Sequence, residues 1–120
     1  MSHVRVWSLY WSPEPEAAEA WQPPVDIYRG PCGWLLKFDL AGVRPEDVQV
    51  RAVTSPLSGS RITVSGVRRD WVQEQGYVHH SMEISYNRFE RTIALPGDLT
   101  NAELSLETRD GLLLVRVNLG

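Results

Sequence analysis

Residues 86–117 read YNRFERTIALPGDLTNAELSLETRDGLLLVRV. Apolar and polar residues alternate through three runs. In residues 86–95, Phe89, Arg91, Ile93 and Leu95 share one face of a strand, and Glu90, Thr92 and Ala94 share the other, because successive strand side chains point to opposite sides. Pro96 has no N–H to give a ladder, so the run stops at Pro96-Gly97. A second run covers residues 104–107 and a third residues 112–117. Between them, Asp110-Gly111 supplies residues that tolerate positive φ, as a tight hairpin needs.

The same period continues upstream. Residues 25–29 form a short strand between Pro23-Pro24 and Gly30-Pro31, which suits a sheet edge. Trp34, Leu36, Phe38 and Leu40 alternate with Leu35, Lys37 and Asp39, and the turn at residues 30–33 makes these two strands a hairpin. Residues 47–53 place Val48, Val50 and Ala52 on one face. A polar loop is expected over residues 54–60. Residues 61–67 form the next strand, in which Gly66 marks a bulge or a close backbone approach. Residues 79–95 are expected as one long strand, with Met82, Ile84 and Tyr86 alternating against Glu83 and Ser85 and a bulge at Asn87-Arg88. Residues 68–78 are a charged excursion that carries Trp71 and Val72 and turns at Gln73-Glu74-Gln75-Gly76. Seven to eight short antiparallel strands, with almost no helical periodicity, predict an all-β, immunoglobulin-like β-sandwich.

Residues 1–22 differ from the rest. Trp7, Tyr10, Trp11 and Trp21 stand among Ser, Pro and Glu, and Ser12-Pro13 is a start signal for a turn or two of helix. The stretch is too short to fold alone, so its aromatics need the domain's surface or a partner. The expected organisation is a short N-terminal arm, 1–22, and one domain, 23–119.

Several of these pieces together resemble the α-crystallin domain of small heat shock proteins, in its bacterial and plant-type form. Phe89-x-Arg91-x-x-x-Leu95-Pro96, followed by Asp110-Gly111-Leu112-Leu113, resembles the two signatures of that family. Pro24-Val25-Asp26-Ile27-Tyr28 resembles its opening strand. Leu40-Ala41-Gly42-Val43 with Glu46-Asp47-Val48, and Ile62-Thr63-Val64-Ser65-Gly66 with Arg68, resemble two further segments. Ala41 stands where the family usually has Pro, Asn87 where it usually has Gly, and Leu106 where Ala is common.

The resemblance implies an ATP-independent chaperone that binds partly unfolded client proteins through exposed apolar surface. It implies that the excursion carries a short strand that pairs with the opening strand of a second subunit. Trp71 and Val72 would then pack on the partner of a homodimer, and Val25, Ile27 and Tyr28 would receive them. It also implies a hydrophobic groove bordered by the strands at residues 48–53 and 104–108, which accepts an Ile-x-Ile-type motif from another subunit's tail. Val48, Val50, Leu104 and Leu106 are its expected lining. This sequence stops at Gly120 without that motif, which leaves the groove empty, covered by the Trp-rich arm, or open to clients. The last run adds to the apolar surface: if Leu113, Val115, Val117 and Leu119 face the core, Leu112 and Leu114 lie apolar on the opposite face and need a cover. Trp7 and Trp11 are the expected client contacts of the arm. Two other readings remain: a p23 or CS-like co-chaperone docked on one partner, and an accessory subunit that co-assembles with a longer relative.

Arg91 shares its face with Phe89 and Ile93, where an unpaired charge is costly. Either it forms an ion pair, with Glu83 or an acid of a second subunit, or it snorkels from the sheet edge.

The totals narrow the classes. A chain of 120 residues with 42% hydrophobic and 22% charged residues is one ordinary globular domain. A net charge of -3 without a basic stripe gives no case for nucleic-acid binding. No apolar run approaches the roughly 18 residues of a membrane span, and no leader is evident. The single cysteine, Cys32, has no internal disulfide partner and reads as a small apolar residue beside a turn. A cytoplasmic location is expected. Adjacent His79 and His80 point to opposite strand faces and do not share a metal. With no Gly-x-Ser-x-Gly turn, no paired carboxylates and no phosphate loop, neither an enzyme nor a cofactor is expected.

Overall fold

Alternation along each strand becomes two facing layers. In the computed structural model, which describes residues 19–120 and the strand backbone of residues 3–6, eight strands form two four-stranded sheets. One sheet runs in the order β1 (His3–Val6), β4 (Val48–Ser55), β5 (Gly59–Arg68), β6 (Asn87–Leu95). The other runs β2 (Val25–Gly30), β3 (Gly33–Asp39), β8 (Leu112–Asn118), β7 (Glu103–Arg109). All neighbours pair antiparallel. Every second residue faces the layer between: Leu36 and Phe38 from β3, Val50 and Ala52 from β4, Ile62 and Val64 from β5, Phe89 and Ile93 from β6, Val115 and Val117 from β8. Burying such side chains is the main term that holds two sheets together.

Two local features tie sequence to geometry. Gly66 sits in regular register with Val48 and Phe89, so it marks a close approach and not a bulge. A Cβ there would lie 2.0 Å from the Asp47 carbonyl oxygen and 2.8 Å from Phe89 Cζ. At the β7–β8 turn, Asp110 and Gly111 have φ of 52° and 81°, the pair of positive values that a two-residue hairpin turn takes.

The structure corrects two expectations. The loop at residues 54–60 is a tight turn: Ser55 pairs with Gly59, and Thr54 and Ser60 are buried. Thr54 Oγ1 lies 2.6 Å from Ser60 Oγ, donates to Asp98 at 3.0 Å and accepts from the Leu99 N–H at 2.8 Å, so polar residues here close the end of the sandwich. The long strand over residues 79–95 is also shorter than expected. Its first half is irregular, and β6 begins only at Asn87, whose φ is 69°. The cause is the partner strand: β5 ends at Arg68, which pairs with Asn87, so nothing on that edge remains for residues 79–86.

Residues 69–86 therefore leave and return at one point of the sheet. Trp71–Gln75 form a 3₁₀ helix. Asp70 caps it by accepting from the Val72 N–H at 3.2 Å, and Gly76, at φ 85°, ends it. Asp47 and Arg69, 22 residues apart, form a bidentate pair at 2.9 and 3.0 Å that ties the base of the excursion to the start of β4. The hydrogen bonds from Arg69 hold the Asp47 carboxyl below its ordinary pKa of 3.8.

Candidate interaction surfaces

A sheet edge is a row of unpaired N–H and C=O groups, and the outer sides of β4, β6, β2 and β7 meet three different fates here. The β4 edge is taken by β1, whose residues 3–6 align with residues 54–51. The β6 edge is capped over one residue by Trp21. Its N–H donates to the Arg88 carbonyl at 3.2 Å, its carbonyl accepts from the Glu90 N–H at 3.0 Å, and its indole N–H donates to the Asn87 carbonyl at 3.3 Å. Its ring lies 5.2 Å from that of Phe89. The chain then crosses to β2 through buried Pro23. Arg91 donates to the Pro23 carbonyl at 3.3 Å, so its partner among the described residues is a carbonyl of this crossing and not a carboxylate. The outer edges of β2 and β7 carry no strand among the described residues.

The β2 edge lies near apolar surface. Ile27 and Tyr28 are exposed, and Val25 packs against the core. On the excursion, Trp71, Tyr77, Val78, Met82 and Ile84 are all exposed, Val78 at 89%. Val72 is half-buried and lines a cleft of about 320 Å³ together with Tyr77, Met82 and Tyr86. Next to it, His79 Nε2 lies 3.5 Å from Asp70 Oδ2 and 2.5 Å from Gln73 Nε2. Trp71 and Val72 were expected on this surface; Tyr77 and Val78 were not, and Met82 and Ile84 were expected in a strand. Met82, Ile84 and Tyr86 alternate with polar residues, whereas Tyr77 and Val78 are consecutive and carry no such signal.

The expected groove is mostly filled. Val50 and Leu104 are 1% and 9% exposed, because both point between the sheets, and they are core rather than groove wall. Val48 packs partly against the core, and Leu106 stays 40% exposed on the inner side of edge strand β7. Val48 and Leu112 also line a cleft of about 290 Å³ beside Val43 and Pro45.

Of the two outward leucines, Leu114 needs no external cover, whereas Leu112 is half-buried. Leu114 is only 7% exposed, although it lies outside the core cluster. In register it sits between Lys37 and Glu107, and Leu112 between Asp39 and Arg109. Glu107 accepts from Arg109 at 2.6 Å and from Arg116 at 2.7 Å, so charged side chains are linked to one another on the strands beside the leucines. The Arg116 and Arg109 hydrogen bonds, in that order, hold the Glu107 carboxyl below its ordinary pKa of 4.5. Trp7 and Trp11 lie outside the described residues.

Comparison with known proteins follows this geometry closely. The model of the Hsp20/alpha crystallin family matches residues 26–119. The chain belongs to the Hsp20/alpha crystallin family. This is a family of small heat shock proteins, which are chaperones and not enzymes. Small heat shock protein C2 of Rickettsia felis is 22% identical over 79% of this chain and 58% of that protein. The 16.9 kDa class I heat shock protein 1 of Triticum aestivum is 31% identical over 78% of this chain and 59% of that protein. The chain thus spans less than two thirds of the length of these curated relatives. Among solved structures, heat shock protein 16.0 of Schizosaccharomyces pombe superposes with a TM-score of 0.66 at 24% identity, covering 81% of this chain and 86% of that one. The hspA protein of Xanthomonas axonopodis gives 0.62 at 24%, covering 83% and 95%. The sandwich is the family's fold.

Proposed function

We propose that this protein is an ATP-independent holding chaperone whose working unit is a dimer built by exchange of the excursion. The observation that carries the reading is the pairing of an open edge with an unpaired, apolar segment. The outer edge of β2, which carries exposed Ile27 and Tyr28, is joined by no strand among the described residues. Residues 77–86 have no strand pairing among the described residues and expose Tyr77, Val78, Met82 and Ile84. Laying this segment of one subunit on β2 of another satisfies both sets of backbone groups and covers both apolar surfaces. Val25, Ile27 and Tyr28 then form the receiving side, and Met82 and Ile84, with Trp71 and Val72, the incoming side. Arg91 supports the receiving side indirectly, by fixing Pro23 ahead of β2.

Client binding is passive in this account. Apolar surface uncovered when subunits separate, together with exposed Leu106 and the arm's Trp7 and Trp11, takes up the apolar surface of partly unfolded proteins and withholds it from aggregation. The solved small heat shock protein of Xylella fastidiosa, 25% identical, is described as having a distinct high order structure, which supports assembly beyond a dimer here. A cytoplasmic site of action fits the lone, exposed Cys32.

The test is light scattering from an aggregation-prone protein heated with and without this chain, in the absence of ATP. Suppression at near-equal molar ratios is expected. A folded, dimeric chain that leaves scattering unchanged at any ratio would sink the reading and favour a subunit that needs a specific partner.

A further inference from the structure

One guanidinium stands where the arm, the excursion and the β3–β4 loop meet. Arg68 is the last residue of β5 and pairs with Asn87, the first of β6, so it marks the point at which residues 69–86 leave and return. Its Nε donates to the Ser85 carbonyl at 2.8 Å, and its Nη1 donates to the Ala41 carbonyl at 3.2 Å. Its Cζ lies 4.2 Å from the ring centroid of Trp21 and 5.8 Å from that of Tyr86. Trp21 is in turn fixed to Asn87, Arg88 and Glu90 by three hydrogen bonds.

We infer that Arg68 is a positioning residue that couples the arm to the exchange segment. A planar cation can offer donors in its plane and charge to rings on its faces at the same time, whereas a lysine ammonium has no such division. Here the in-plane donors hold Ser85, three residues after Met82, and Ala41. The face holds Trp21, the last aromatic of the arm. When the arm moves, Trp21 leaves the cation, and the guanidinium loses the face that orients it toward Ser85. Arm release and the pose of residues 81–86 therefore change together. The effect on dimer strength rests on the exchange reading above, but the coupling itself is a property of a single chain.

The experiment is a double-mutant cycle on the full chain with Trp21→Leu and Arg68→Lys, each first checked for folding by circular dichroism. Nitrogen-15 NMR follows the Ser85 and Tyr86 amides, since Asn87 and Arg88 touch Trp21 directly and would move in any case. Trp21→Leu is expected to shift Ser85 and Tyr86 in the parent chain and to leave them in place once residue 68 is Lys. In parallel, sedimentation should give a dimer dissociation constant about two- to fivefold higher for Trp21→Leu, the factor matching one exposed cation–π contact, with no further rise in the double variant. Equal shifts in both backgrounds, or none in either, would overturn the coupling. A parent chain that stays monomeric while the NMR cycle behaves as expected would overturn the exchange reading and leave the coupling standing.

Discussion

Two neighbouring segments of similar alternating composition end differently. Residues 87–95 pair along their whole length with β5 and bury Phe89, Ile93 and Leu95. Residues 77–86 alternate Met82, Ile84 and Tyr86 with Glu83 and Ser85, yet they join no strand among the described residues and expose most of their apolar side chains. The first segment has a neighbouring strand in its own chain, and the second has none among the described residues. Apolar alternation specifies a strand only where an edge is available to receive it, and an alternating segment without one is a surface awaiting a partner.

The contrast can be tested from both sides. The largest effect is expected in the sandwich. Phe89→Ala should lower the free energy of unfolding by about 3–5 kcal/mol in urea titrations, because it empties the centre of a packed core. Ile84→Ser, in the excursion, should change it by less than about 0.5 kcal/mol when both chains are compared at concentrations low enough to be monomeric, where loss of the dimer adds nothing to the difference. A comparable loss from Ile84→Ser would mean that the excursion is part of the folded core.

Next is the receiving edge. Ile27→Asp should weaken self-association at least about tenfold, since a charge at the middle of an apolar contact has to be desolvated. Sedimentation equilibrium reads this, and an unchanged dissociation constant would point to an interface away from β2.

Within the sandwich, Thr54→Val should cost about 1–3 kcal/mol despite its similar shape, because it strips a partner from Ser60, from Asp98 and from the Leu99 N–H. Thermal unfolding is the measurement, and a neutral result would mean that water replaces the hydroxyl.

The smallest effect concerns the base of the excursion. The Asp47 carboxyl has a folded pKa below its ordinary 3.8, so the stabilisation from its pair with Arg69 is present above that value and is lost as the pH falls through the lowered one. The pair is largely exposed on the Arg69 side, so Arg69→Gln should cost only about 0.2–1 kcal/mol. The same substitution should return the Asp47 titration toward 3.8 in an NMR pH series. A titration that does not move would assign the lowered pKa to another group.

Legibility in the sequence follows the same division. The sandwich strands were readable because one apolar face per strand and turns such as Asp110-Gly111 leave little freedom. Gly66 was readable as a bulge or a close approach, but neither which of the two nor what approaches it. The 3₁₀ helix at Trp71–Gln75 was not, since its cap, Asp70, is one polar residue among several. Nor was β1, whose four residues are too few to announce a strand. The outward Leu114 misled: its apolar character suggested an external cover, yet it is buried within the subunit, between Lys37 and Glu107 in a register that only strand pairing sets. Long-range pairs such as Asp47 with Arg69 leave no local trace at all.

Sedimentation velocity of the parent chain and of Ile84→Asp, across a range of concentrations, tests the central claim most directly. The account predicts a parent chain that self-associates and a variant that stays folded and monomeric. A parent chain that is monomeric throughout, or a variant that assembles as well as the parent, would contradict it.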